Sequence, residues 1–250
     1  MFGNVYQIEP SSFVTDIVIN DYRTADVFRK YDIDFCCGGK WPLDIACQNR
    51  NLNTKEVIGD LQKIINQSPS NAAIDFDSWE IDFLADYILN VHHSYLKRAL
   101  PETKEQVDKF LVEHRKKFPE LEAIEIIMNQ FMIEIPPHMR QEEEMYFPYI
   151  KQIYHAHKYR ESYARLLIRT LRKPIEEVMQ KEHDTTGSNL NRLRSITNNY
   201  TPPVNACITH KITFAKLQEL DKDLVQHIHL ESNILFPKAI QMEQELLQDR

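Results

Sequence analysis

Two eleven-residue stretches of the chain repeat one pattern of residues that can bind metal. Residues 138–148 and 227–237 both read His-x-x-x-Glu-x-x-x-x-Phe-Pro. On an α-helix, residues i and i+4 lie one above the other on the same face. The pairs with this spacing are His138 with Glu142 and His227 with Glu231. Each pair directs an imidazole and a carboxylate toward one point, so the pattern predicts a pair of metal ligands twice.

The types of the ligands indicate which metals the site would hold. Neutral imidazole and carboxylate suit iron, zinc, copper or manganese, and the lack of thiolates on these helices argues against a structural zinc site. Helix bundles build metal sites from inward-facing side chains on facing helices, so further ligands are expected from His92 or His93 and from His183. Four to five histidines with two carboxylates are too many for one ion. They suffice for two ions, with Glu142 and Glu231 as bridges.

A ferritin-type site is not supported by the sequence. Such sites require Glu-x-x-His on two helices, and none of the 10 histidines has a glutamate three residues before it. The two repeated pairs therefore favour a different kind of two-metal helix bundle.

The sequence predicts an all-α fold for the chain that positions these ligands. Apolar residues recur mostly at three-and-four spacing, and glycine accounts for only 5 of 250 residues. Residues 1–68 are expected to form a small unit of three helices, one capped by Thr24 and the others at 42–49 and 54–66. A polar, proline-broken linker at 69–77 and a bundle at 78–250 would follow.

Within the bundle, prolines are expected to interrupt the helices. Pro101 predicts a restart, and Pro136-Pro137 predicts a kink or a restart just before His138. His155 and His157 fall in a predicted loop. The predicted helices span about 78–100, 101–119, 120–151, 174–198 and 205–236.

Composition excludes several classes of protein. A net charge of -7 without long basic runs argues against nucleic-acid binding. No stretch approaches the roughly 20 apolar residues of a membrane span, and no signal-like segment begins the chain. Four cysteines, none in Cys-x-x-Cys spacing, do not form a disulfide framework and fit a reducing compartment. We therefore expect a soluble cytoplasmic protein that binds neither membrane nor nucleic acid.

A further motif precedes the bundle, Asp34-Phe35-Cys36-Cys37-Gly38-Gly39. Its paired glycines allow a tight turn, and adjacent cysteines can form only a strained disulfide. This motif resembles the signature of the small domain that precedes a hemerythrin-like di-iron domain in the Repair of Iron Centres family. The two repeated pairs resemble the ligands of that di-iron domain. The resemblance covers essentially the whole chain, and the two motifs in this order are more specific than either alone.

The resemblance implies a hemerythrin-like four-helix bundle and a set of site residues. Periodicity leaves His92 and His93 open, but the family's first ligand precedes a leucine by three residues, and Leu96 then selects His93. His114 is a further candidate as ligand or pocket residue, while Cys47 and Cys207 read as structural. Cys36 and Cys37 are the candidates for redox chemistry or iron transfer. The implied metal ligands are His93, His138, Glu142, His183, His227 and Glu231.

The resemblance also implies a function. Two non-haem irons, bridged by carboxylates and by oxygen derived from solvent, would serve to repair iron–sulfur clusters after nitrosative or oxidative damage by supplying iron. Iron–sulfur proteins would be the clients, and a homodimer is compatible with the sequence. Alternatives are an enzyme that reduces NO at the di-iron centre and a sensor or carrier that binds O₂ or NO. Two departures from the family, Pro136-Pro137 and His210 in place of a usual Trp, affect the expected shape of the pocket.

Overall fold

The computed structural model of the protein describes residues 7–35, 40–66, 74–118, 121–171 and 175–248. At residue 171 and residues 175–180 it describes the backbone only. In these ranges the secondary structure is helical, and an isolated antiparallel bridge joins Phe13 to Pro42. The all-α prediction is confirmed. Cys36 and Cys37 lie outside the described residues. Within the described ranges, no helix is both long and apolar enough to cross a membrane.

The chain divides into two compact units. The first comprises Met1–Glu80 with Ile228–Pro237, and the second comprises Ile81–His227 with Lys238–Arg250. The sequence placed the boundary at a linker over 69–77, a few residues earlier. It gave no indication that ten residues near the C-terminus group with the N-terminal unit.

The first unit contains short helices around a small apolar core. Val14, Phe28, Leu43 and Leu61 are fully buried in it. The sequence predicted three helices here, and α1 is an additional one. Thr24 precedes α2, but its hydroxyl donates to the Asp21 carbonyl oxygen at 2.6 Å instead of capping the helix. The helices are α1 (Val14–Asn20), α2 (Ala25–Lys30), α3 (Leu43–Asn49) and α4 (Thr54–Asn66).

Among the remaining elements, three long continuous helices contain a π-helical turn. We call these turns π1, π2 and π3 in chain order. In sequence, the elements are α5 (Ile81–Tyr87), π1 (Ile88–His93), α6 (Ser94–His114), α7 (Glu122–Gln141), π2 (Glu142–Tyr146), α8 (Phe147–Lys158), α9 (Ala164–Leu171), α10 (Ile175–Ile196), α11 (Ile208–Leu230), π3 (Glu231–Leu235) and α12 (Phe236–Gln248). The last three form one continuous helix, in which Ile228–Pro237 belongs to the first unit.

The helix restarts predicted at the prolines do not occur. Pro101 lies inside α6, and Pro136-Pro137 lie inside α7, with no restart at either place. An interior proline removes one backbone hydrogen bond, but buried apolar side chains such as Leu100 and Ile135 lie directly beside these prolines. Burial of apolar side chains supplies most of a helix's stability in a protein, so it outweighs the lost bond here. The loop predicted around His155 and His157 is also absent, because α8 continues to Lys158.

The π turns explain the Phe-Pro half of the repeated motif. Both π2 and π3 begin at the motif's glutamate and end just before its phenylalanine. Pro148 and Pro237 are then the second residues of α8 and α12. The phenylalanine before each proline donates its N–H to the motif's glutamate carbonyl, five residues back. The proline, which has no N–H to donate, therefore lies where the hydrogen bonds change from five-residue to four-residue spacing. The eleven-residue motif therefore encodes a ligand pair and the change of helical pitch that follows it.

Candidate metal centre

Two compact groups of histidine and glutamate side chains share the same two carboxylates. The first group contains His93, His227, Glu142 and Glu231, and the second contains His138, His183 and the same two glutamates. Within each group, one ligand atom from every residue lies within 4.8 Å of the others. Glu231 reaches the groups from one helical turn beyond His227. Each group thus offers two imidazoles of its own and two carboxylates in common.

The spacing of the ring nitrogens matches that of neighbouring ligands on one ion. His93 Nε2 lies 3.1 Å from His227 Nε2, and His183 Nε2 lies 3.3 Å from His138 Nε2. Two nitrogens bound at about 2.1 Å and at right angles to each other would be separated by roughly 3 Å. Both pairs therefore have the separation expected of adjacent ligands.

Glu142 faces both groups with different oxygens. Its Oε2 is 3.4 Å from His93 Nε2, and its Oε1 is 3.3 Å from His138 Nε2. The carboxylate is fully buried, as is that of Glu231. Burial of a carboxylate is costly unless it is paired with charge or coordinates a metal. Glu142 therefore presents one carboxylate oxygen to each group.

Two further carboxylates fix the orientation of the ligand rings. Glu143 Oε1 lies 2.9 Å from His93 Nδ1, and Glu182 Oε2 lies 2.6 Å from His138 Nδ1. An ionised carboxylate can only accept a hydrogen bond, so each Nδ1 carries the proton. The lone pair on each Nε2 then points at the partner histidine of its group. This carboxylate–histidine arrangement is the usual support of a metal-binding imidazole.

The surroundings keep both supporting carboxylates ionised. Burial acts to raise the pKa of Glu143, but hydrogen bonds from Lys97 and His93 outweigh it and hold that pKa below its usual value. The hydrogen bond from His138 lowers the pKa of Glu182. Both groups therefore remain acceptors at neutral pH.

Replacing these supports is expected to weaken metal binding without removing a ligand. In Glu143→Gln and Glu182→Gln the amide can still accept a hydrogen bond but carries no charge, so the ring nitrogen that faces the metal becomes less basic. Each change is expected to lower metal affinity by about 10–100-fold. Competition with a chelator of known affinity measures the loss. Glu144→Gln is the matched control because Glu144 is exposed, and equal affinity in all four proteins would contradict the assigned role.

Sequence reasoning did not identify the partners of the two supporting carboxylates. Glu182 precedes His183 in the chain but supports His138 on another helix, and no local spacing indicates such a contact. Glu143 had a weak signal, its position next to Glu142. In both cases the partner becomes evident only when the helices are packed.

Of the two open candidates on the first helix, His93 joins a metal group and His92 does not. His92 is 2% exposed, its Nδ1 lies 2.9 Å from Asp223 Oδ1, and its ring stacks on His227 with centroids 5.9 Å apart.

His114 also lies outside both groups, and its Nε2 is 3.1 Å from Cys207 Sγ. The structure therefore brings together the six ligands expected from the resemblance, and places His114 elsewhere.

A cavity of about 770 Å³ reaches the second group. It exposes His138 and Glu182 to small molecules, while apolar and polar side chains of α7 and α10 form the rest of its wall. Its lining is Ile133, Glu134, Ile135, Pro137, His138, Gln141, Lys181, Glu182, Thr185 and Thr186.

Comparison with known proteins agrees with this geometry. Residues 84–239 match the hemerythrin HHE cation binding domain, and residues 11–65 match ScdA_N, a domain of unknown function. A probable iron-sulfur cluster repair protein of Haemophilus influenzae is 31% identical over 227 residues, which are 91% of this chain and 96% of that protein. The iron-sulfur cluster repair protein YtfE of Escherichia coli O8 is 32% identical over 225 residues, which are 90% and 94% of the two chains.

Proposed function

Because this chain belongs to the hemerythrin HHE family and, over nine-tenths of its length, to the iron-sulfur cluster repair proteins, we propose that it repairs damaged iron–sulfur clusters with a di-iron centre. The HHE domain binds metal cations, and the paired histidines and glutamates could hold them. The proposal goes further by specifying two non-haem irons, carboxylate bridges and the supply of iron to client proteins.

The sharing of Glu142 and Glu231 between two groups is the observation that supports two ions. A single ion would need one group of converging ligands, whereas here each carboxylate serves two pairs of histidines. Two histidines and two shared carboxylates would offer four protein ligands to each ion. Imidazole with carboxylate is also a ligand set that iron accepts.

The residues of the chain have separate tasks in this proposal. His93 and His227 would hold one ion and His138 and His183 the other, and iron bound there would supply exchangeable metal and redox chemistry. Glu143 and Glu182 keep the rings of His93 and His138 in place. The cavity beside His138 and Glu182 supplies a route for small molecules or for iron. Cys36 and Cys37 are proposed to assist transfer.

Isotope labelling tests whether iron is supplied. The protein is loaded with an enriched iron isotope and mixed with a purified iron–sulfur enzyme whose cluster has been damaged by NO. After separation, recovery of enzyme activity and the isotope content of the enzyme are measured together. Recovery with enriched iron in the cluster supports donation.

The controls separate donation from other kinds of repair. Free iron at the same concentration, with and without the double variant Glu142→Ala/Glu231→Ala, measures repair that does not need the metal centre. Recovery without enriched iron in the cluster would mean that the centre repairs clusters without giving up its metal. No recovery beyond the free-iron control would overturn the proposal.

A second candidate is reduction of NO at the same centre, and the cavity at His138 is the observation that favours it. Sustained consumption of NO with an electron donor would support this activity. Stoichiometric binding without turnover would leave NO, like O₂, as a ligand of the centre only. The cytoplasmic location and the homodimer stay predictions.

A further inference from the structure

A second pair of reactive side chains lies away from the metal centre. His114 is the last residue of α6, and Cys207 directly precedes α11. His114 Nε2 lies 3.1 Å from Cys207 Sγ, although 93 residues separate them in the chain. Cys207 is exposed, whereas the other cysteine that the structure describes, Cys47, is buried.

The contacts of His114 orient its ring as a base toward the thiol. His114 Nδ1 lies 3.0 Å from the Phe110 carbonyl oxygen. Since a carbonyl only accepts, Nδ1 carries the proton and Nε2 presents its lone pair to Cys207. A nucleophile, a base within hydrogen-bonding distance and a third group that orients the base form the arrangement of activated thiols and hydroxyls.

The backbone around Cys207 favours negative charge on the sulfur. The His210 N–H donates to Cys207 Sγ at 3.4 Å. Cys207 also lies at the N-terminus of the 23-residue helix α11, where the helix dipole stabilises an anion. Both features place partial positive charge beside the sulfur.

A buried histidine beside the pair supplies an independent observation. His210 is 3% exposed, and its Nε2 is buried without a hydrogen-bond partner among the described residues. Its ring centroid lies 6.3 Å from that of His114. A buried polar nitrogen that lacks a partner costs free energy. The His210 ring also packs against Phe110 and Phe214, with centroids 4.7 and 4.4 Å away.

The three side chains do not form a metal site. Among the described residues, the groups of three or more potential ligands that converge closely are the two at the metal centre. His114, Cys207 and His210 are not among them. Their chemistry is therefore that of a thiol with a neighbouring base.

We propose that Cys207 and His114 form a thiol-exchange site that takes small-molecule disulfides. His114 Nε2 accepts the thiol proton while Cys207 Sγ attacks one sulfur of the disulfide. A sulfur–sulfur bond forms to Cys207, the original one breaks, and the departing thiolate takes the proton from His114. One disulfide is consumed and one is formed. Cys207 is exposed, as are Val204 and Ile208 near it in the chain, so a molecule of this size can reach the sulfur.

Oxidised glutathione and the full-length, metal-loaded protein provide the test. Trypsin separates the cysteines, because Cys207 lies in the peptide 195–211, Cys47 in 41–50 and the Cys36-Cys37 pair in 31–40. Mass spectrometry of the three peptides over time gives the rate at each. At about pH 6, Cys207 is expected to react roughly tenfold faster than a free small thiol, with a weaker dependence on pH.

The variant His114→Gln removes the base and is expected to slow the reaction at least about fivefold at pH 6, with the rates converging near pH 9. His155→Gln is the matched control, since His155 is an exposed histidine on α8. The ionisable neighbours of His114 are Glu113, whose carboxylate lies 3.9 Å from Nδ1, His210 and Cys207 itself.

Three results would overturn the proposal. In the first, Cys207 reacts with the rate and pH dependence of an ordinary thiol. In the second, folded His114→Gln reacts like the wild type. In the third, Cys207→Ser lowers the melting temperature while the wild-type thiol shows no excess reactivity, which would mean that Cys207 only caps α11. If His114→Gln fails to fold, the pH profile of the wild type decides by itself.

Discussion

The double variant Glu142→Ala/Glu231→Ala is expected to lose both metal ions. Each carboxylate belongs to both ligand groups, so the change removes two of the four candidate ligands from each group. The pairs that remain, His93 with His227 and His138 with His183, each offer only two imidazoles. We expect the metal content to fall from about two ions per chain to well below one.

Mass spectrometry of iron, zinc and manganese in protein produced with adequate iron measures this result. Glu144→Ala is the control, because Glu144 neighbours Glu142 in the chain but is exposed and belongs to neither group. It should retain the wild-type metal content. One zinc per chain in the wild type, or two irons retained in the double variant, would contradict the di-iron centre.

Removal of the metal is expected to lower the melting temperature by about 15 °C or more. A ligand that binds only the folded state at about a thousand times its dissociation constant stabilises it by about 4 kcal/mol, and two ions would contribute about 8 kcal/mol. For a chain of this size, each kcal/mol corresponds to roughly 2–4 °C. The metal-free bundle must also keep two fully buried carboxylates, Glu142 and Glu231, near each other.

Differential scanning calorimetry before and after chelation checks this expectation. Adding iron back should restore the transition, and the double variant should show no change on chelation because it has little metal to lose. If chelation changes the melting temperature by only a few degrees, the apolar core alone stabilises the bundle. That result would contradict the stabilisation of about 8 kcal/mol expected from metal binding.

The part of the centre that could be predicted from the sequence is the part set by local geometry. Residues His138 and Glu142 are one turn apart on one helix, so their spacing alone brings them to a common face. The repetition of that spacing at His227 and Glu231 made the prediction specific. The all-α fold followed in the same way from apolar periodicity, and it is confirmed.

The choice between His92 and His93 could not be made from periodicity, because the helix changes pitch there. In π1 the backbone hydrogen bonds span five residues instead of four, so His93 follows Ile88 along one face. A helical-wheel projection at 3.6 residues per turn instead places His92 closer to the face of Ile88. Both histidines are buried, so burial did not distinguish them either.

Contacts between distant helices were also beyond the sequence. The sequence offered His114 as a ligand or pocket residue and Cys207 as structural, and the distance between them depends on how α6 meets the start of α11. Glu182 supports His138 for the same kind of reason. Side chains that act across helices have no spacing rule, so only the packed structure identifies their partners.

The π turns bear on how members of this family should be aligned. A π turn accommodates one residue more than the α-helical turn it replaces, so each behaves as a single insertion that does not lengthen a loop. Deleting one residue within π2 would rotate everything after it by about 100° relative to His138 and Glu142. A one-residue gap at this point in an alignment would therefore mark a relative in which the ligand-bearing and C-terminal halves of the helix face differently.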